Sequence, residues 1–129
     1  MPNRSKDWLK QAKRDWEVAI ASAAGERHEW ACFAAHQSAE KAVKALHLAY
    51  GQEAWGHLVV RLLAELPSEI TVSVLLVEQA RVLDNFYIPT RYPDSHPEGS
   101  PFEHFGPLQS QDAIRYASAI IEFVDAALA

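Results

Sequence analysis

Between His28 and Tyr50, Cys32, Ala35, Ala39, Ala42, Leu46 and Ala49 alternate in steps of three and four. That spacing places all of them on one stripe of an α-helix. All but Leu46 are small, so a neighbouring helix can approach closely and run nearly parallel or antiparallel to this one. Phe33, Val43 and Tyr50 flank the stripe, Glu40 and Lys44 form a favourable pair one turn apart, and Gly51 is placed to end the helix. A chain built round such a seam needs helical partners, and the rest of the sequence supplies them.

Residues 5–24 repeat the pattern with Leu9, Ala12, Trp16, Ala19 and Ala23, widened by Trp8 and Ile20. Ser5 is the expected cap and Gly25 the expected stop. A short helix is predicted from His57 to Leu66, with Leu58, Leu62, Leu63 and Leu66 apolar and Pro67 ending it. The run ITVSVLLVEQARVLDNF is β-branched in its first half, but a single strand has no partner to pair with. The prediction is therefore a helix from about Val72 to Phe86, with Leu76, Ala80 and Leu83 inward. Residues 87–109 hold Pro89, Pro93, Pro97, Pro101 and Pro107 and read as a long loop. Ser110 is the expected cap of a last helix whose inward positions are Ile114, Ala117, Ile121, Val124 and Leu128. The fold class is all-α: one domain over 1–129, an up-and-down bundle of four main helices plus one short one, with a proline-rich loop before the last.

Bulk properties narrow the function. A net charge of −5 argues against general, phosphate-driven affinity for nucleic acid. The basic stretch of Arg4, Lys6, Lys10, Lys13 and Arg14 reads as a solvated helix face. No apolar run reaches membrane-spanning length. The charged start lacks a signal core and Cys32 is the lone cysteine, so the expected compartment is the cytoplasm. The histidines form no metal-ligand motif, and there is no glycine-rich phosphate loop or serine elbow. No metal and no cofactor are expected.

Chemistry concentrates in Leu83–His96, LDNFYIPTRYPDSH. Arginine can clamp a phosphate with two parallel hydrogen bonds, and histidine can take a proton from a hydroxyl near neutral pH. Arg91 and His96 thus suit phosphodiester chemistry. The alternative has Arg91 in a salt bridge to Asp84 or Asp94, with His96 an ordinary loop residue. Lys41 and Lys44, one turn apart, can bind a phosphate or an acidic partner, or simply form a solvated face. His57 can cap the short helix or face the loop after Phe86.

Three ordered motifs carry a family likeness: ACFAAHQSAEKAVKAL over 31–46, the lone His57 before a short helix, and LDNFYIPTRYPD over 83–94. Together they resemble the HEPN family of small prokaryotic helical bundles, along nearly the whole chain. The resemblance implies a homodimer, association with a nucleotide or RNA, and an MNT-type nucleotidyltransferase as partner in a toxin–antitoxin pair. It implies a groove beside the second helix, with Tyr87, Tyr92, Asp94, Lys41, Lys44 and His57 as ligand-binding candidates. Some members are metal-independent endoribonucleases with an Arg-x4–6-His motif. Carried over, Arg91 would hold the scissile phosphate and His96 would accept the 2′-hydroxyl proton. The context departs from that pattern: Tyr92 follows the arginine, and Pro93 and Pro97 bracket the histidine.

Overall fold

A computed structural model describes residues 3–129. Its helices are α1 (Ser5–Ala24), α2 (His28–Ala49), α3 (Val59–Ala64), α4 (Val74–Asp84) and α5 (Pro107–Leu128). Two short 3₁₀ turns, Pro93–Ser95 and Pro101–His104, interrupt the proline-rich loop. No strand occurs among the described residues. The run ITVSVLLVEQARVLDNF forms no strand, but it is helical only from Val74, and residues 70–73 lie outside any helix.

α2 is the axis of the bundle. α1 and α5 pack along it, and α3 and α4 close its remaining side. Cys32, Ala35, Ala39, Ala42 and Leu46 are fully buried, as the seam requires. They meet Ala12 and Ala19 of α1 and Ala117, Ile120 and Val124 of α5 in one core. The small side chains let the helices approach closely, and the larger Leu46, Leu62, Leu83 and Ile120 fill the space between layers. After Trp30, no residue of α2 is fully exposed. The expected solvated face of α2 is therefore covered.

The helix ends revise several expectations. Ser5 lies inside α1; Asn3 is the capping side chain, its Oδ1 accepting from the Ser5 N–H at 2.7 Å. After α1 the left-handed residue is Glu26 (φ 60°), while Gly25 stays at φ −87°. Gly51 does end α2 in the left-handed region, at φ 72°. There the Gln52 and Gly51 amides donate to the His47 and Leu48 carbonyls at 2.9 and 3.0 Å, satisfying the helix's last acceptors. α4 begins later than predicted, at a Ser73 cap whose Oγ accepts from the Leu76 N–H. α5 begins earlier, with Pro107 in its first turn and the Gln109 side chain accepting from the Gly106 amide at 2.8 Å. Ser110 is thus an interior residue, buried and hydrogen-bonded to His28 Nδ1 at 2.9 Å. Trp8, Ile20 and Leu58, expected inward, are substantially exposed; Val59 takes the core position beside Leu58.

Candidate functional site

The site is assembled on the arc of α2 that carries Phe33, His36, Glu40 and Lys44. These residues recur every three or four positions, so they stack along one side of the helix. Above them pass the turn before α3 and the loop after α4.

Asp84, the last residue of α4, ties these pieces together. Its carboxylate accepts from the Val59 and Val60 amides at 2.7 and 3.0 Å, capping the N-terminus of α3 from another helix. It also meets Nε2 of the fully buried His36 at 3.2 Å. Nδ1 of His36 has no partner among the described residues. One turn along α2, the buried Glu40 accepts from Lys44 Nζ at 3.0 Å and from His57 Nδ1 at 3.1 Å. His57 is held by Glu40 and faces the loop after Phe86, where its ring stacks on Tyr87 (centroids 4.8 Å apart, planes at 18°). It does not cap α3, because Asp84 does.

Tyr87 lies at the middle of an aromatic cluster. Phe33 stacks on it at 6.2 Å, and His36 meets it at 5.1 Å. Arg91 lies over this surface, its guanidinium carbon 4.5 Å from the Phe33 centroid, 4.6 Å from Tyr87 and 5.0 Å from Tyr92. The quadrupoles of the rings attract the cation, and Nε donates to the Tyr87 carbonyl at 2.9 Å. Among the described residues Arg91 has no carboxylate partner; the salt bridge to Asp84 or Asp94 does not form. A half-buried guanidinium held among aromatic rings, with its two terminal nitrogens free of hydrogen bonds among the described residues, is a ready anion receptor. Asp94 is exposed and makes no side-chain contact of this kind.

The sequence motif Arg91…His96 splits into two neighbourhoods within the chain. The Pro89 carbonyl can only accept, so His96 donates to it through Nε2, at 2.7 Å. Its ring stacks on His104 at 4.0 Å and 3°, and its edge meets Phe105. Arg91 and His96 share no partner. Lys41 and Lys44 separate likewise: Lys41 pairs with Asp15 of α1 at 2.5 Å, while Lys44 pairs with Glu40.

Several contributors are absent from the set read off the sequence. There Phe33 reads only as a flanking residue and Glu40 as half of a helix pair; their position three and four residues from His36 is the available signal. Trp55 and Arg61 lie beside His57 in a cleft of about 500 Å³ that Tyr87 also lines. No sequence pattern marks them. Burial pushes the Cys32 thiol up to about 12, helped by the nearby charge of Glu29, so it is no nucleophile. No group of three or more metal-ligating side chains exists among the described residues, and no helix among them is long and apolar enough to cross a membrane.

These features define a small all-α bundle domain in which one loop lays a cation on the aromatic surface of the central helix. A model of the HEPN domain matches residues 5–127, and the chain belongs to the HEPN domain family. Solved structures agree. TT1696 from Thermus thermophilus is 49% identical over 96% of this chain and 98% of its own, with a TM-score of 0.95. ST0689, an archaeal HEPN homologue, is 37% identical with both chains fully covered and a TM-score of 0.82. A HEPN domain protein of Thermotoga maritima, tm0613, is 34% identical over 95% of this chain and 97% of its own, with a TM-score of 0.77. No curated protein matches.

Proposed function

We propose that this HEPN chain is a binding and interaction module. As a homodimer it holds a nucleotide or a short unpaired nucleic-acid segment in the groove beside α2, and it works with an MNT-type nucleotidyltransferase in a toxin–antitoxin pair. The observation that carries this reading is Arg91: a half-buried cation fixed against Phe33, Tyr87 and Tyr92, with no counter-ion among the described residues. Aromatic rings offer stacking to bases and the guanidinium offers charge to a phosphate, a combination that single-stranded nucleic-acid sites use. The test is a titration of the full chain with a labelled single-stranded RNA and with nucleotides. Replacing Arg91 by Ala should weaken binding at least tenfold; unaltered affinity would refute the assignment. Sedimentation at micromolar concentration tests the dimer, and co-expression with a nucleotidyltransferase followed by gel filtration tests the partner.

A metal-independent endoribonuclease using Arg91 and His96 is the second reading. One observation favours it: with Nε2 donating to Pro89, the neutral His96 ring keeps its basic lone pair on Nδ1. Arg91 and His96 have different partners within one chain, and in this reading a second copy completes the site. Incubation with RNA in excess EDTA separates the two readings. Cleavage that disappears in His96→Ala supports the enzyme, and intact RNA with retained binding supports the module.

A further inference from the structure

Of the chain's four tryptophans Trp55 is the most exposed, at 79%. It stands in the turn after α2, where the core does not hold it. A cleft of about 380 Å³ lies beside it, lined also by Trp8 of α1, Leu48 of α2 and Ala54. That volume is in the range of small-molecule sites. The lining is mainly apolar, and the Trp8 indole is itself 38% exposed.

The charges around this cleft do not cancel. Lys44 borders it but is only 13% exposed, and its Nζ is 3.0 Å from the Glu40 carboxylate, so that pair is neutral. His57 borders it too, with Nδ1 bonded to Glu40 and its ring stacked on Tyr87. Glu53 forms no ion pair among the described residues. With Lys44 and Glu40 offsetting each other, the Glu53 charge is left over.

Two indoles and an unpaired carboxylate are the groups that hold an organic cation: ring quadrupoles attract the positive head and the carboxylate supplies the opposite charge. We infer that this cleft binds a small quaternary ammonium ion, its trimethylammonium head against Trp8 and Trp55 and its charge answered by Glu53. A primary ammonium is strongly hydrated and needs acceptors for three N–H groups. A methylated head has no N–H to satisfy, and its methyl surface suits the rings, Leu48 and Ala54. An anion would meet Glu53 as a like charge. The ligand is therefore opposite in charge to the one that Arg91 would receive, and its site does not depend on the reading proposed above.

The test is an NMR titration of the full chain with choline, with ammonium chloride, and with the uncharged isostere of choline in which a tert-butyl group replaces the trimethylammonium head. Choline should move the indole N–H signals of Trp8 and Trp55, leave that of Trp30 beside Phe33 in place, and bind at least tenfold tighter than either control. Trp55→Ala and Glu53→Gln, both changes at exposed residues, should each weaken choline about tenfold, and Glu53→Gln should leave the isostere unaltered. Equal binding of choline and its isostere would reduce the cleft to an apolar hollow and overturn the proposal. So would choline shifts centred on Trp30, or no choline binding at millimolar concentration. Phosphatidylcholine vesicles carry the same head beside a phosphate, which Glu53 opposes, so the chain should not sediment with them; co-sedimentation would overturn the assignment to a free small molecule.

Discussion

Replacing Asp84 by Ala should be among the most damaging single changes at the site. The carboxylate caps α3 through two backbone amides and gives the buried His36 its hydrogen bond. Loss of an N-terminal cap costs about 1 kcal/mol, and leaving a buried polar group without a partner costs about 1–3 kcal/mol more. His36 already has Nδ1 unpartnered, so in the variant the whole ring would be buried without a bond. Together these give a loss of about 2–4 kcal/mol, or roughly 10 °C in Tm for a domain of this size. Urea unfolding followed by circular dichroism measures it. Asp84→Asn keeps an oxygen for the α3 amides and should recover about 1 kcal/mol of the loss. If Asp84→Ala unfolds within about 0.5 kcal/mol of the parent, the carboxylate is not holding α3 and α4 together as argued.

The remaining expectations are simpler. If Arg91 is the cation that meets phosphate, single-strand binding should depend weakly on salt, with a slope of about −0.7 in log–log form and about a 2.6-fold loss between 50 and 200 mM; a slope steeper than about −3 would point instead to the lysines of α1. The raised thiol of Cys32 keeps it protonated in the folded state, while the unfolded chain loses that proton from about pH 9 upward. Its contribution to stability is therefore whole below pH 9 and declines toward about 12, so Cys32→Ala should flatten the alkaline fall in unfolding free energy, read by denaturant titration at several pH values. Leu46→Ala leaves a hole at the crowded middle of the core and should cost about 2–5 kcal/mol without altering the aromatic cluster; near-UV circular dichroism checks the second part.

The helices are readable in the sequence because their signal is periodic and local. The seam of α2 and the inward residues Leu76, Ala80 and Leu83 follow from spacing alone, and all of them but the half-buried Ala49 are buried. Boundaries are less legible where a partner distant in sequence decides them. α3 is short because its cap is Asp84, twenty-five residues beyond Val59. Trp8 and Leu58 obey their helix patterns yet face outward, since hydrophobicity does not say which side a neighbour will cover. The site is legible as a stretch of chain but not as a set of contacts. Arg91 and His96 are close in sequence, but each finds its own partners: ring faces for the cation, a carbonyl and His104 for the imidazole.

The enclosure of α2 bears on how sequences like this one can drift. Its residues divide into an arc fixed by volume, where Cys32, Ala35, Ala39 and Ala42 leave room for nothing larger, and an arc fixed by bonding, where Phe33, His36, Glu40 and Lys44 answer to the loops above. Few positions on this helix are free of both demands. A saturation library of α2 should therefore be intolerant almost throughout, yet for two separable reasons: losses of folding along the first arc, rescued by nothing on the second, and losses of ligand with the bundle intact at Phe33, where the ring meets Arg91.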